Sequence, residues 1–136
     1  MKILKLLLWI GLFVVAKVFS IILVPIAMLY SIIKLLVYGR IGELTDYFKR
    51  GAIGIDQLGN VLIGSHLLND TLVSKNPYHF GSPDETVSGV IGKNKRSGTL
   101  SELGKNIAHN LNEIEKDHVE KAIEDDETNK NINSEN

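Results

Sequence analysis

Residues 3–38 read ILKLLLWIGLFVVAKVFSIILVPIAMLYSIIKLLVY, an apolar stretch whose only charged members are Lys5, Lys17 and Lys34. Lipid hydrocarbon offers no hydrogen-bond partner to a peptide group, so a segment of this kind is stable in a bilayer only as a helix. The stretch predicts a membrane anchor over residues 1–38. The lipid bilayer is therefore the first expected partner.

The anchor is longer than one ordinary span of about 20 residues and short for two spans with a turn. Three arrangements fit: a crossing helix preceded by an interfacial helix, a hairpin with Lys17 near the far surface, or one long tilted helix. Pro25 would bend any helix that contains it. A secretory signal cleaved near Ser20 is disfavoured, because the remaining apolar residues would still span the membrane.

Charge and composition indicate on which side of the membrane the polar region lies. Lys2 precedes the stretch, Lys5 lies at its start, and Arg40, Lys49 and Arg50 follow it. The positive-inside rule therefore predicts an integral inner-membrane protein with a cytoplasmic C-terminal domain. The chain has no cysteine, which excludes disulfides, a thiol nucleophile and cysteine-ligated metals. Its net charge of −1 gives no general attraction to nucleic acid, and no sequence-specific nucleic-acid binding is expected.

The polar region predicts a mainly α fold. We expect a glycine-rich juxtamembrane linker over 39–55, a small all-α domain over 56–123, and a disordered acidic tail over 124–136. Asp56 would cap a helix that ends near Leu72, and Asn69, close to its apolar face, would need a hydrogen-bond partner inside the domain. The expected apolar face of this helix comprises Leu58, Val61, Leu62, Ser65, Leu68 and Leu72.

Three capping sequences predict the later helix starts. In Ser82-Pro83-Asp84-Glu85-Thr86, Ser82 would be the N-cap and Glu85 the second half of a capping box. Similar patterns at 99–102 and 117–120 place further starts near residues 100 and 118. The middle helix would bury Leu100, Leu103, Ile107, Leu111 and Ile114.

Familiar chemical motifs mostly fail. The run Gly89–Lys93 has the wrong spacing for a Walker A loop, and the four histidines lack a metal-binding spacing. Ser88 has no companion pattern for nucleophilic catalysis. Lys93, Lys95 and Arg96 form a basic segment that either binds phosphate or a headgroup, or is simply a solvated turn.

Four acidic or imidazole side chains remain as a candidate hard-metal or acid–base site: Asp56, Asp84, Glu85 and His118. Asp84, Glu85 and His118 are the candidate catalytic residues. The competing explanation is that the acidic residues are ordinary helix caps. The candidate binding residues are Asp56, Asn60, Lys93, Lys95 and Arg96.

Several of these residues carry a resemblance. The elements Asp56-Gln57-Leu58-Gly59-Asn60, Pro83-Asp84-Glu85-Thr86 with Ser88, and the late His118 resemble a group of small uncharacterised proteins of bacteriophages and prophages. The resemblance covers 56–123 and implies a phage or mobile-element origin, but no activity and no cofactor. Val119 stands where that group commonly has a cysteine, which argues against cysteine-dependent chemistry.

Two function classes follow. The first is a membrane-anchored interaction or regulatory module that binds another protein at the cytoplasmic face. The second is a membrane-bound, metal-dependent hydrolase that uses Asp84, Glu85 and His118. Convergence of these polar side chains on one pocket would discriminate between them.

Overall fold

A computed structural model describes residues 2–134 of the chain, with side chains described as far as residue 128. The chain divides into two units, with the boundary between Phe48 and Lys49. The fold is all-α: the helices are α1 Lys2–Val37, α2 Ile41–Gly59, a π-helix Asn60–Leu68, the single turn α3 Asn69–Thr71, α4 Val87–Ser97, α5 Glu102–Ile114 and α6 His118–Ser134.

Helix α1 covers the apolar segment that was predicted to be the anchor. It is one uninterrupted helix of 36 residues with Pro25 inside it, and none of its residues is buried. At 1.5 Å per residue it is about 54 Å long, against a hydrocarbon core of about 30 Å. It is long and apolar enough to span a membrane. Of the three arrangements considered, the single long helix is the one observed, and the hairpin alternative is wrong.

The juxtamembrane residues are helical. Helix α2 begins at Ile41, so most of the expected linker over 39–55 is not a loop, and Asp56 lies within a helix instead of capping one. Glycines at 42, 51 and 54 are accommodated because an exposed helix tolerates glycine at a cost of about 1 kcal/mol each. The π-helix continues α2 and buries only Asn60 and Gly64 in the second unit.

The core of the second unit lies between α4 and α6, with α5 and the turn after the π-helix closing one side. Val90 and Ile91 of α4 pack with Val119 of α6, while Leu72, Phe80, Leu100 and Ala108 complete the cluster. Gly92 lets the two helices approach closely, because a methyl group there would overlap the carbonyl oxygen of Val119. The expected stripe on α5 is only partly buried, since Leu103 and Ile114 are exposed.

The capping predictions have mixed outcomes. The start of α6 at His118 is as predicted, and α5 begins at Glu102 with Ser101 as its N-cap. The start near residue 83 is wrong: α4 begins at Val87, and its N-cap is Thr86, whose hydroxyl accepts a hydrogen bond from the Gly89 N–H at 2.9 Å. Ser82 and Glu85 therefore do not form a capping box.

The expected disorder from residue 124 is also wrong over most of that range. Helix α6 continues to Ser134, and both Ile123 and Asp126 are fully buried. Composition gave the wrong prediction because one carboxylate of the acidic run, that of Asp126, is buried and hydrogen-bonded to Thr86. Residues 135 and 136 lie outside the described residues.

Candidate functional site

Three asparagine side chains hold the extended segment that leads into α4. The side-chain amide of Asn94 makes two hydrogen bonds to the backbone of Tyr78. Its oxygen accepts from the Tyr78 N–H at 2.9 Å, and its NH₂ donates to the Tyr78 carbonyl at 2.8 Å. Asn69 makes the same pair of bonds with Phe80, at 2.9 and 3.2 Å. Each amide replaces a strand partner that the loop lacks. The expectation that Asn69 needs an internal partner is confirmed.

Asn60 is the third of these asparagines and is fully buried. It accepts from the Gly81 N–H at 2.9 Å and donates to the carbonyls of Ser82 and Glu85 at 3.0 and 2.9 Å. Gly64, one turn along, is needed because a Cβ there would lie 2.6 Å from the Asn60 oxygen and 2.9 Å from the Phe80 side chain. The π-helix therefore fixes the backbone just before Thr86 and Ser88.

Glu85 lies inside the unit and is 1% exposed. It accepts from the Lys93 ammonium at 2.5 Å and from the Tyr78 hydroxyl at 2.7 Å, and the same ammonium lies 4.6 Å from the centre of the Tyr78 ring. Burial acts to lower the pKa of Lys93, but the hydrogen bond and charge of Glu85 outweigh it, and the pKa lies above its usual value of 10.5. This pair is structural, with both charges satisfied inside the unit.

Asp126 ties α6 to the start of α4. Its carboxylate accepts from the Thr86 N–H at 3.0 Å and from the Thr86 hydroxyl at 3.1 Å. Burial raises the pKa of Asp126, while these hydrogen bonds act in the opposite direction. A carboxylate at a helix N-terminus also interacts favourably with the helix dipole.

A cavity of about 560 Å³ opens beside this helix start, within the second unit. Ser88 of α4, Asp56 of α2 and His118 of α6 line it, together with Glu115 and Lys121. The carboxylate of Asp56 accepts the Ser88 N–H at 3.3 Å. Helices α2, α4 and α6, with the turn before α6, thus bring a hydroxyl, an imidazole and several carboxylates to one surface.

The imidazole of His118 bridges two of these groups. Its Nε2 lies 3.3 Å from Ser88 Oγ, and its Nδ1 lies 2.9 Å from a carboxylate oxygen of Glu115. A carboxylate accepts from Nδ1–H, which leaves Nε2 as the acceptor facing the hydroxyl. The hydrogen bond from His118, followed by that from Lys121, lowers the pKa of Glu115 to about 2, so this carboxylate is charged throughout the neutral range.

The predicted site residues are not all brought together. Asp56 and His118 share the cavity, but Asp84 is exposed in a turn and Glu85 is buried against Lys93. Within the part of the chain that the structure describes, no three histidine or acidic side chains are grouped as metal ligands. The four-residue metal cluster predicted from sequence is therefore not formed.

The predicted binding residues are also dispersed. Lys93, Lys95 and Arg96 lie on α4 and not in a loop. Lys93 is paired with Glu85 and Lys95 with Glu120 at 2.5 Å, and both Lys95 and Arg96 are exposed. Asn60 is a buried structural residue, and Asp56 alone of the five lines the cavity.

Sequence reasoning missed Ser88 and Glu115 as members of the cavity. The Glu115–His118 spacing of three residues was readable, but Asp117 adopts a left-handed conformation between them, so this is a turn contact and not a helical pair. Ser88 and His118 are 30 residues apart in the sequence, so no local sequence pattern could indicate that they lie close together.

Comparison with protein-family models, with curated proteins and with solved structures gave no match. The geometry of the unit therefore carries the functional argument.

Proposed function

We propose that this chain is a membrane-anchored interaction module of phage or prophage origin, whose helical unit binds another protein at the cytoplasmic face of the inner membrane. The exposed apolar surface of α1 supports the bilayer as a partner. The basic residues Arg40, Lys49 and Arg50 support the cytoplasmic orientation.

The proposal of a protein partner rests on an apolar strip on the outer face of α2 and the π-helix. We define the strip by the side chains of Ile55, Leu58, Leu62, Ile63 and Leu67, which are 46% to 73% exposed. The opposite face turns Asn60 and Gly64 inward. The segment thus buries the polar side chain of Asn60 and leaves these five large aliphatic side chains outside, an arrangement typical of an interaction surface.

The composition of the strip favours protein over lipid as its occupant. Residues 55–69 contain no lysine, arginine, phenylalanine, tyrosine or tryptophan. Helices that lie in the membrane interface are typically rich in lysine and arginine and carry tryptophan or phenylalanine on the apolar face. Helix-in-groove protein contacts, in contrast, need only aliphatic anchors at helical spacing.

A photoreactive amino acid at position 62 tests this proposal in cells that express the full chain. We expect a discrete adduct with one identified protein, lost when Leu58 is replaced by Asp. The same photoreactive group at Leu103, an exposed leucine on α5, should not form it. Adducts with lipid alone, or with a second copy of the chain alone, would contradict the proposal.

Orientation is tested separately. Protease added outside spheroplasts should leave the C-terminal unit intact, and digestion from outside would reverse the proposed topology. The metal-dependent hydrolase built on Asp84, Glu85 and His118 is not favoured, because Asp84 and Glu85 lie away from the cavity that contains His118.

A further inference from the structure

We infer that the cavity is a serine-nucleophile site, with Ser88 as nucleophile, His118 as general base and Glu115 as the residue that orients the imidazole. This inference does not depend on the protein partner proposed above. It rests on the order of contacts from hydroxyl to Nε2 to Nδ1 to carboxylate, at 3.3 and 2.9 Å, on the wall of a cavity large enough for a small substrate.

The geometry meets the requirements for activating a hydroxyl. A base must lie within hydrogen-bond reach of the nucleophile, and bonds in an unliganded site are often somewhat long. Ser88 lies in the first turn of α4, where the helix dipole favours developing negative charge. Because Glu115 remains charged at neutral pH, it also stabilises the imidazolium that forms when His118 takes the proton.

The reaction class is acyl transfer from an ester to water. Ser88 Oγ forms a bond to the ester carbonyl carbon while its proton passes to His118 Nε2. The bond from carbon to the alcohol oxygen then breaks, and the imidazolium gives its proton to the leaving alkoxide. Water, deprotonated by the same Nε2, then attacks the acyl–serine carbonyl carbon. The bond from that carbon to Ser88 Oγ breaks, and the imidazolium returns its proton to Oγ as the carboxylic acid leaves.

Charge on the cavity wall limits the substrate. The wall carries the carboxylates of Asp56, Glu115, Glu124 and Asp125 against the ammonium groups of Lys49 and Lys121. Lys49 is paired with Asp125, and Lys121 with Glu115. Excess negative charge beside Ser88 disfavours anionic esters such as phosphodiesters, so we assign uncharged or cationic carboxylic esters as the substrate class.

The absence of cysteine in the chain permits a clean chemical test. Ser88→Cys introduces a single thiol, which His118 should hold as a thiolate. At about pH 6.5, two units below the ordinary thiol pKa, nearly full ionisation raises the thiolate fraction about 100-fold. The drop of about three units in thiol pKa that this requires lowers the intrinsic nucleophilicity about 20-fold. Iodoacetamide should thus alkylate Ser88→Cys about fivefold faster than Ser88→Cys/His118→Asn, with both proteins full length in detergent.

The second measurement uses the native hydroxyl. A fluorophosphonate probe should label the full-length protein at Ser88, identified by peptide mass spectrometry, and labelling should fall at least about 100-fold in His118→Asn and less in Glu115→Gln. Ser97→Ala, on the exposed side of the same helix, is the matched control and should label normally. Circular dichroism establishes that each variant is folded.

Two results would overturn the inference. One is an equal alkylation rate for the two cysteine variants. The other is a folded native protein whose Ser88 takes no label, which would make the Ser88–His118 contact a structural link between α4 and α6. Either result leaves the protein-partner proposal standing, because that proposal depends on the apolar strip alone.

Discussion

Replacing Lys93 by Met should destabilise the second unit far more than removing any exposed cation. The change keeps an unbranched side chain of similar length but removes the ammonium that contacts Glu85 at 2.5 Å. The carboxylate is 1% exposed, and loss of one partner from a buried ion pair costs about 3–5 kcal/mol. Since a domain of this size has about 5–15 kcal/mol of stability, the loss is a large fraction of the total.

The matched control is Lys95→Met on the same helix. Lys95 pairs with Glu120, but the two side chains are 43% and 40% exposed, and exposed pairs contribute about 0–1 kcal/mol. Urea unfolding of the full chain in detergent, followed by circular dichroism, measures both variants. Helix α1 should stay in the detergent and contribute a constant signal.

Two further measurements separate charge from packing. Lys93→Met should regain stability as the pH is lowered, because protonation removes the buried negative charge at up to about 1.4 kcal/mol per pH unit. Glu85→Gln combined with Lys93→Met should also be more stable than Lys93→Met alone. In the native protein the pKa of Lys93 is raised, so its contribution is complete below 10.5 and is lost only as the pH rises beyond that value. Equal costs for Lys93→Met and Lys95→Met would refute the reasoning.

Three further predictions use the same unfolding assay. Gly92→Ala should cost about 1–3 kcal/mol, because the added methyl group overlaps a carbonyl of α6. Gly54→Ala in exposed α2 should instead stabilise the unit by about 0.5–1 kcal/mol. Similar effects at both sites would show that α4 and α6 do not pack this closely. Asn60→Ala should cost about 2–4 kcal/mol because three backbone groups lose their partner, and a cost under about 1 kcal/mol would contradict that role. The hydrogen bond from Lys95 lowers the pKa of Glu120, so this pair's stabilisation is present above pH 4.5 and is lost as the pH falls below it; Lys95→Met should flatten that dependence, and an unchanged dependence would rule the pair out as its source.

The long apolar helix and the helical class could be predicted from sequence because each depends on a local pattern. Apolar residues 3–38 leave a helix as the only stable backbone in lipid, and the capping pattern at 117–120 correctly places the start of α6 at His118. The start of α4 could not be predicted in this way. Ser82-Pro83-Asp84-Glu85 satisfies the local rule for a capping box. No helix begins there, because Glu85 is buried against Lys93 and its backbone carbonyl accepts a hydrogen bond from Asn60.

Two of the remaining errors arose because polar residues were assigned to solvent. Asp126 was placed in a disordered tail and Asn60 among binding residues, yet both are fully buried. Conversely, Leu58 and Leu62 were expected in the core and are exposed. Hydrophobic periodicity finds an apolar face but does not say whether that face meets the unit's own core or a surface outside it.

This inversion links the construction of the unit to its proposed activities. A segment without regular structure precedes α4, and the amide side chains of Asn60, Asn69 and Asn94 fix its backbone from three directions. That segment delivers Thr86 and Ser88 to the cavity, so the position of the nucleophile depends on the inner, polar face of the π-helix. The outer face of the same helix is the apolar strip. We therefore expect a partner that binds at Leu62 to press on the element that holds Asn60, and so to change the Ser88–His118 distance without contacting the cavity.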